Sequence, residues 1–383
     1  MSKQWPNVRL GELLRLDLDR VPVDSATSYP MVGVLSFGQG LFEREPVENG
    51  NTSYRHFLRI KAKHIVMSQL FGWEGALALS SEKFEGRYLS PQFPTFLCDV
   101  TKVDRSFLGW ALRRPILWEN LGTRTTGMGD RRRTLNPEAL LACEIPLPPL
   151  AEQQRVVKRM EELSAKINEA SILRQQAMEE AEAFITSVHS QLAGKRTLLI
   201  GDILKLDEDV VPIVPTGSYP QVGIRSFGAG LFSKAAVSGM DTTYRAFNRL
   251  YEGALILSQV KGWEGAVAVC PADLEGWFVS PEYRTFRCIP SEARPGYLAP
   301  LIRTKWFWGK LANATRGVGA RRERTRPEQF LSIQLPMPDV EHQRQGEEIF
   351  AEVNMLKRLQ GETSNELSAL MPAILDRAFK GEL

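Results

Sequence analysis

The chain is 383 residues long, 43% hydrophobic and 24% charged, with a formal net charge of +3. That length allows about two to three domains of roughly 100–200 residues, and the composition excludes global disorder. So small a net charge excludes a molecule that holds a polyanion by overall charge, and any nucleic-acid contact must gather its cations locally.

From the N-terminus, Met1-Ser2-Lys3-Gln4-Trp5-Pro6 carries no apolar signal stretch, and no run of about 18 apolar residues follows. A cytoplasmic protein with no membrane span is expected. Runs such as His64-Ile65-Val66-Met67-Ser68, bounded by Gly and Pro, read as strands, and 106–121, with Trp110 and Trp118, reads as helix. Ile145-Pro146-Leu147-Pro148-Pro149-Leu150 then precedes a stretch from Ala151 to about Leu192 without Pro or Gly. Its Val156, Met160, Leu163, Ile167 and Ala170 step by four and three, the spacing of a coiled-coil seam. Beyond it the pattern returns: a strand at Ala254–Ser258, helix at 296–312 with Trp306 and Trp308, the junction Leu335-Pro336-Met337-Pro338, and a second helix from Glu341 to about Phe379. Ile349, Val353, Leu356, Thr363, Leu367, Leu370 and Ile374 form its expected seam, and Pro372 should kink or interrupt it.

The return is an internal repeat with an offset of 190 residues. Ser36-Phe37-Gly38 recurs as Ser226-Phe227-Gly228, and Gly72-Trp73-Glu74-Gly75-Ala76 as Gly262-Trp263-Glu264-Gly265-Ala266; 28–98 and 218–288 share 32 identities over 71 ungapped positions. A long amphipathic helix cannot bury its stripe alone, so two in one chain pair most simply with each other. The fold expected is α+β: two similar globular domains joined by two long helices, pairing as an antiparallel coiled coil with pseudo-twofold symmetry. The expected boundaries are a first globular domain at 1–148, a central helix at 149–195, a second globular domain at 196–338 and a C-terminal helix at 339–383.

Three segments could touch nucleic acid. Arg124-Thr125-Thr126-Gly127-Met128-Gly129-Asp130-Arg131-Arg132-Arg133 is echoed by Arg316-Gly317-Val318-Gly319-Ala320-Arg321-Arg322-Glu323-Arg324. Glycines let backbone approach a phosphate, and arginines pair with phosphate or fork onto guanine. Ser68-Gln69-Leu70-Phe71-Gly72-Trp73-Glu74 and Ser258-Gln259-Val260-Lys261-Gly262-Trp263-Glu264 offer Gln for adenine and Glu for cytosine. The same residues also read as a turn whose Trp packs inward and whose Glu pairs locally. Tyr54-Arg55 and Tyr244-Arg245 are the third pair. Phe37-Gly38-Gln39-Gly40 and Phe227-Gly228-Ala229-Gly230 read as hairpin turns rather than cofactor loops. No phosphate-binding Gly-x-x-x-x-Gly-Lys-Ser/Thr loop occurs, and the four cysteines, without C-x-x-C spacing, read as reduced core residues rather than zinc ligands. No catalytic residue, cofactor site or metal site is expected in this chain.

The junction Ile145-Pro146-Leu147-Pro148-Pro149-Leu150-Ala151-Glu152-Gln153-Gln154-Arg155 resembles that between a target-recognition domain and a conserved helix in specificity subunits of type I restriction–modification systems. The ending Ile374-Leu375-Asp376-Arg377-Ala378-Phe379-Lys380-Gly381-Glu382-Leu383 is similar to that family's ending, and the order domain, helix, domain, helix matches throughout. The resemblance implies a non-catalytic subunit that reads a bipartite target on double-stranded DNA and binds two adenine-N6 methyltransferase subunits. Restriction/translocase subunits join in full assemblies, and S-adenosylmethionine, ATP and Mg²⁺ belong to the partners. Recognition domains of this family usually differ, whereas these two are alike, which implies a near-palindromic target. The second junction departs: Asp339-Val340 stands for Pro-Leu, and Glu-Gln-Gln-Arg becomes Glu341-His342-Gln343-Arg344. A DNA-binding adapter of another phage-defence system and a protein-binding coiled-coil scaffold are the alternative readings.

Overall fold

A computed structural model describes residues 5–48, 50–126, 133–315 and 324–383. Each repeat builds a four-stranded antiparallel sheet in the same order. The first runs Leu14–Leu16, Thr95–Cys98, Ile65–Met67, Leu77–Leu79; the second runs Leu204–Leu206, Tyr283–Cys288, Leu255–Ser258, Val267–Val269. Both faces of the sheet are covered, so its central strands read as unbroken apolar runs. Alternate residues serve different cores: Ile65, Met67 and Leu77 face one, Val66, Ala76 and Ala78 the other. Leu255 and Leu257 part from Ile256 in the same way.

A smaller sheet of Arg20–Pro22, His56–Arg59 and Tyr88–Leu89 lies beside the hairpin Val32–Leu35/Gly40–Glu43. In the second repeat the equivalent strands join into one five-stranded sheet through the parallel pair Gln221/Phe278. Each helical segment expected near the tryptophans is two helices, Arg105–Ala111 with Pro115–Gly122 and Pro295–Leu301 with Lys305–Thr315. Pro115 holds Arg114 in extended backbone and breaks the first. In the second, the Thr304 hydroxyl donates to the Leu301 carbonyl (2.7 Å) and accepts from the Phe307 amide (3.3 Å), ending one helix and starting the next.

The central helix is continuous over Leu150–Ala193, 44 residues. Its C-terminal counterpart is two helices, Val340–Glu362 and Ser364–Phe379, interrupted at Thr363 and not at the expected Pro372. Gly361 weakens the helix there, and the Thr363 hydroxyl bonds the Leu359 and Gln360 carbonyls, both at 3.3 Å. The chain forms two compact units, Met1–Ser171 with Ser364–Leu383, and Ile172–Thr363. In the first, Val156, Val157 and Met160 share a core with Leu375, Ala378 and Phe379, and Arg155 donates to the Leu383 carbonyl. In the second, Arg174 donates to the Thr363 carbonyl (3.0 Å) and Leu192 lies against Gly346. Numbers rise along one helix as they fall along the other, so the pairing within that unit is antiparallel.

Val156 and Met160 are buried as their spacing predicts, and Val353, Leu367 and Ile374 of the second expected seam are half-buried, but that seam departs by one residue at Ile349. Phe350 is buried, whereas Ile349 is 37% and Leu356 61% exposed. The shift originates at the junction. Gln343, Gly346, Phe350 and Val353 step by three, four and three, and Tyr297 fills the space over Gly346, 5.3 Å from the Phe350 ring.

Each junction is held by a buried glutamine. The Gln153 side chain donates to the Pro148 carbonyl (2.8 Å) and the Lys102 carbonyl (3.2 Å) and accepts from the Asp104 amide (2.7 Å). Gln343 repeats this with Pro338 (2.8 Å), Glu292 (2.7 Å) and the Arg294 amide (2.9 Å). The structural equivalent of Gln343 is therefore Gln153, and not Gln154 as the motif alignment has it. Asp339 compensates for the missing proline, since its carboxylate caps the helix by accepting from the His342 amide (2.9 Å).

Gln153→Leu leaves three buried backbone groups unpaired and should cost about 2–4 kcal/mol in chemical unfolding. Gln154→Ala, at an exposed site, should be neutral within about 0.5 kcal/mol. A second prediction concerns pH. Buried His189 shares a 2.7 Å hydrogen bond with the Tyr297 hydroxyl, and burial holds its pKa down at about 4. A depressed pKa leaves stability intact above the unfolded value near 6.5 and removes it as pH falls towards 4, by up to roughly 3 kcal/mol. The double change His189→Phe with Tyr297→Phe copies the Phe107–Phe379 pair of the first repeat and should flatten that loss in pH-dependent melting.

Candidate nucleic-acid interface

The strand Ile65–Met67 runs into a tight turn at Ser68–Gly75, and Leu255–Ser258 into its copy at 258–265. Ser68 and Ser258 are buried, and their hydroxyls accept from the Phe71 (3.1 Å) and Lys261 (3.3 Å) amides. They build the turn from inside, which corrects the expectation that they face a ligand. Gly75 (φ +82°) and Gly265 (φ +77°) end the turns in left-handed backbone. A side chain at either would collide with the indole of Trp118 or Trp308. Glutamate closes the turn laterally: Ser36 donates to Glu74 (3.3 Å) and Ser226 to Glu264 (2.7 Å), with Lys261 3.5 Å from Glu264.

What stays outward is Gln69 and Gln259, half-buried, the partly covered Trp73, Trp263 at 40% exposure, and exposed Lys261. The Trp73 indole N–H donates to the Leu70 carbonyl (2.9 Å), and the Arg133 guanidinium lies 5.3 Å over its ring. Arg131, Arg132, Arg316, Arg321 and Arg322 lie outside the described residues. The described residues that flank these segments are held beside the turns. The Leu135 amide donates to the Gln69 carbonyl and the Thr325 amide to the Gln259 carbonyl, both at 2.8 Å. Backbone bonds of 2.9 Å between Thr126 and Thr134 close the first loop, and the Thr315 and Thr325 hydroxyls, 3.0 Å apart, close the second. Arg324 is drawn into an ion pair with Glu282 (3.2 Å).

Not every expected residue joins this platform. Arg124 points to a cavity beside Cys143 and Glu144. Exposed Tyr54 packs on Phe57 and Tyr244 on Phe247, at the strands His56–Arg59 and Ala246–Arg249, and exposed Arg55 and Arg245 give backbone carbonyls to Val23 and Ile213. The platform gains a residue that the sequence reading left as a plain hairpin. The Phe37 and Gly38 amides donate to the Glu74 (2.8 Å) and Gly75 (2.9 Å) carbonyls, and Phe227 and Gly228 do the same to Glu264 and Gly265. Phe37 and Phe227 sit at φ +58° with 65% and 69% of their surface exposed. A bulky residue in left-handed backbone is strained, and here it gains only one edge-on contact, with Trp118 or Trp308 at 6.3 Å, while most of its ring stays open to solvent. Among the described residues no group of three or more His, Cys, Asp or Glu converges as a metal site, and no helix is long and apolar enough to cross a membrane.

No family profile and no curated protein matches the sequence. Solved structures do. An HsdS subunit from Thermoanaerobacter tengcongensis superposes with a TM-score of 0.51 at 19% identity, over 100% of this chain and 98% of that one. A structure described as the basis of complex assembly and conformational transition of the type I R-M system gives 0.67 at 19% identity, over 100% of both chains. The chain has the HsdS fold. These matches span the whole chain, both repeats and both helical segments included.

The strained tip gives a stability test. Phe37→Gly and Phe37→Ala both lose the 6.3 Å contact with Trp118, but only glycine relieves left-handed strain. Phe37→Gly should be the more stable by roughly 1 kcal/mol in unfolding experiments. Equal stabilities would mean that the tip is not strained.

Proposed function

We propose that the chain is the specificity subunit of a type I restriction–modification enzyme, a non-catalytic reader of a bipartite, near-palindromic DNA target. The observation that carries this is the duplicated platform on the HsdS fold: an outward Gln, a Trp, a strained Phe tip and an arginine loop anchored to one turn, twice, 190 residues apart. Gln and Arg supply hydrogen-bond forks for base edges, the aromatics supply stacking surface, and the loop glycines permit close approach to phosphate. Similar platforms should read similar half-sites in inverted orientation, as symmetric binders do.

Partners follow from the same reading. Two adenine-N6 methyltransferase subunits would bind the helices, and restriction/translocase subunits would join them; S-adenosylmethionine, ATP and Mg²⁺ would be held by those partners. Exposed Ile172, Leu173, Met355, Leu356 and Leu359 on the second unit's helices favour such a docked partner.

Methylation mapping in a host carrying the chain and its methyltransferase tests the reading, since unrelated half-sites would refute the symmetry. Within the complex, Arg132→Ala should cost about 1–3 kcal/mol and relax preference in one half-site, with Arg322→Ala acting on the other, if these arginines reach base edges. If they hold phosphate, all sequences should weaken alike and the salt slope should fall by about one. Affinity unchanged in both variants would remove the loops from the interface.

A further inference from the structure

Arg124 lies in a cavity of the first repeat, away from the turn. The cavity measures about 570 Å³ and is lined by Arg9, Arg114, Arg124, Asn7, Asn120 and Glu144 among others. That size falls within the roughly 300–1,000 Å³ of small-molecule sites. It is also a different place from the platform. Ile116 and Asn120, one helical turn apart, line the cavity, whereas Trp118 between them lies over Gly75. Residues two apart on a helix point in nearly opposite directions.

Three arginines and one carboxylate line it. Glu144 approaches Arg9 at 3.5 Å, with both side chains at least half exposed, so the pair is weak. The Arg114 guanidinium lies 4.7 Å over the Phe379 ring, and burial pulls its pKa down while nearby Asp376 pushes it up. Asp376 is itself engaged by Lys380 at 2.7 Å. Arg124 makes no side-chain hydrogen bond or ion pair among the described residues. Arginines with spare N–H groups lining one cavity, flanked by two side-chain amides, suit an anion with several acceptor oxygens.

We infer that this pocket binds the phosphate group of a nucleotide, with Arg9, Arg114 and Arg124 as its cationic walls and Asn7 and Asn120 as amide donors. The second repeat places Leu199, Thr304 and Ala314 where the three arginines stand, so the site belongs to one half only. It does not depend on the platform's reading DNA.

The test titrates the full chain calorimetrically with inorganic pyrophosphate, adenosine monophosphate and a short duplex of arbitrary sequence. Saturable binding of the small phosphates, weakened at least tenfold in Arg9→Gln/Arg124→Gln, identifies a free nucleotide as the source. If only the duplex binds, and its salt slope falls by about two in that variant, the source is backbone phosphate. Asn120→Glu changes an exposed helix position; it should abolish small-phosphate binding, or lower the duplex salt slope as the arginine variant does, and raise the melting temperature of the free chain, which a purely structural lesion would not do. Lys310→Gln, at the equivalent position, should do neither. If the arginine variant leaves both titrations unchanged, or Asn120→Glu does, the pocket is not a phosphate site.

Discussion

The amide of Gln153 meets three backbone groups that would otherwise be buried without partners, and the amide of Gln343 meets the equivalent three. Because a planar amide can satisfy two acceptors and one donor in only one orientation, each glutamine fixes the rotation of its helix against its globular domain. The seam follows from that rotation. With Gln153 inward, Val156, Val157 and Met160 must face the core; with Gln343 inward, Gly346 and Phe350 must. Exposed apolar residues such as Leu356 are then left outside by geometry and not by chance.

The two halves obey the same lock yet fill it differently. Position 156 carries valine and its partner 346 glycine, and the space released takes the ring of Tyr297, whose equivalent is Phe107. Tyr297 brings a hydroxyl that needs a partner once buried, and His189 supplies it where the first repeat has Phe379. A wider slot, a larger phenol and a neutral imidazole are thus one coupled change, and its cost is sensitivity to acid confined to the second unit. Charge separates the halves as well, since the first gathers Arg9, Arg114 and Arg124 at its helix junction and the second has none of them there.

Much of the fold was legible because it is written twice. The 190-residue offset exposed the repeated domain, the paired helices and the turn around Trp73 and Trp263 without any alignment to other proteins. What escaped depended on contacts between segments distant in sequence. The seam of the second helix could be misread by one residue because Ile349 and Phe350 are both apolar, and only the distant backbone of Glu292 and Arg294 chooses between them. Thr363 rather than Pro372 breaks the helix because a proline at the exposed surface loses one hydrogen bond, while Gly361 and a hydroxyl that competes for carbonyls act together. The buried serines looked like ligands because a turn and a binding loop draw on the same residue types.

The aromatic tips show most clearly what sequence could not supply. Phe37-Gly38-Gln39-Gly40 has the composition of an ordinary hairpin, and glycine at position 37 would serve such a hairpin better. Only the backbone angle of +58° reveals that phenylalanine is kept there against its own preference, and only the bonds to Glu74 and Gly75 show what holds it. The turn holding Trp118 in place is thus the turn that holds the strained tip. Loss of the hydrogen bond between Ser36 and Glu74 should therefore loosen tip and turn together, since both hang on the same few backbone groups. Glutamate at 74 and 264 then acts chiefly as the brace of the platform, and the outward Gln, Trp and Phe are the side chains left free to meet a ligand.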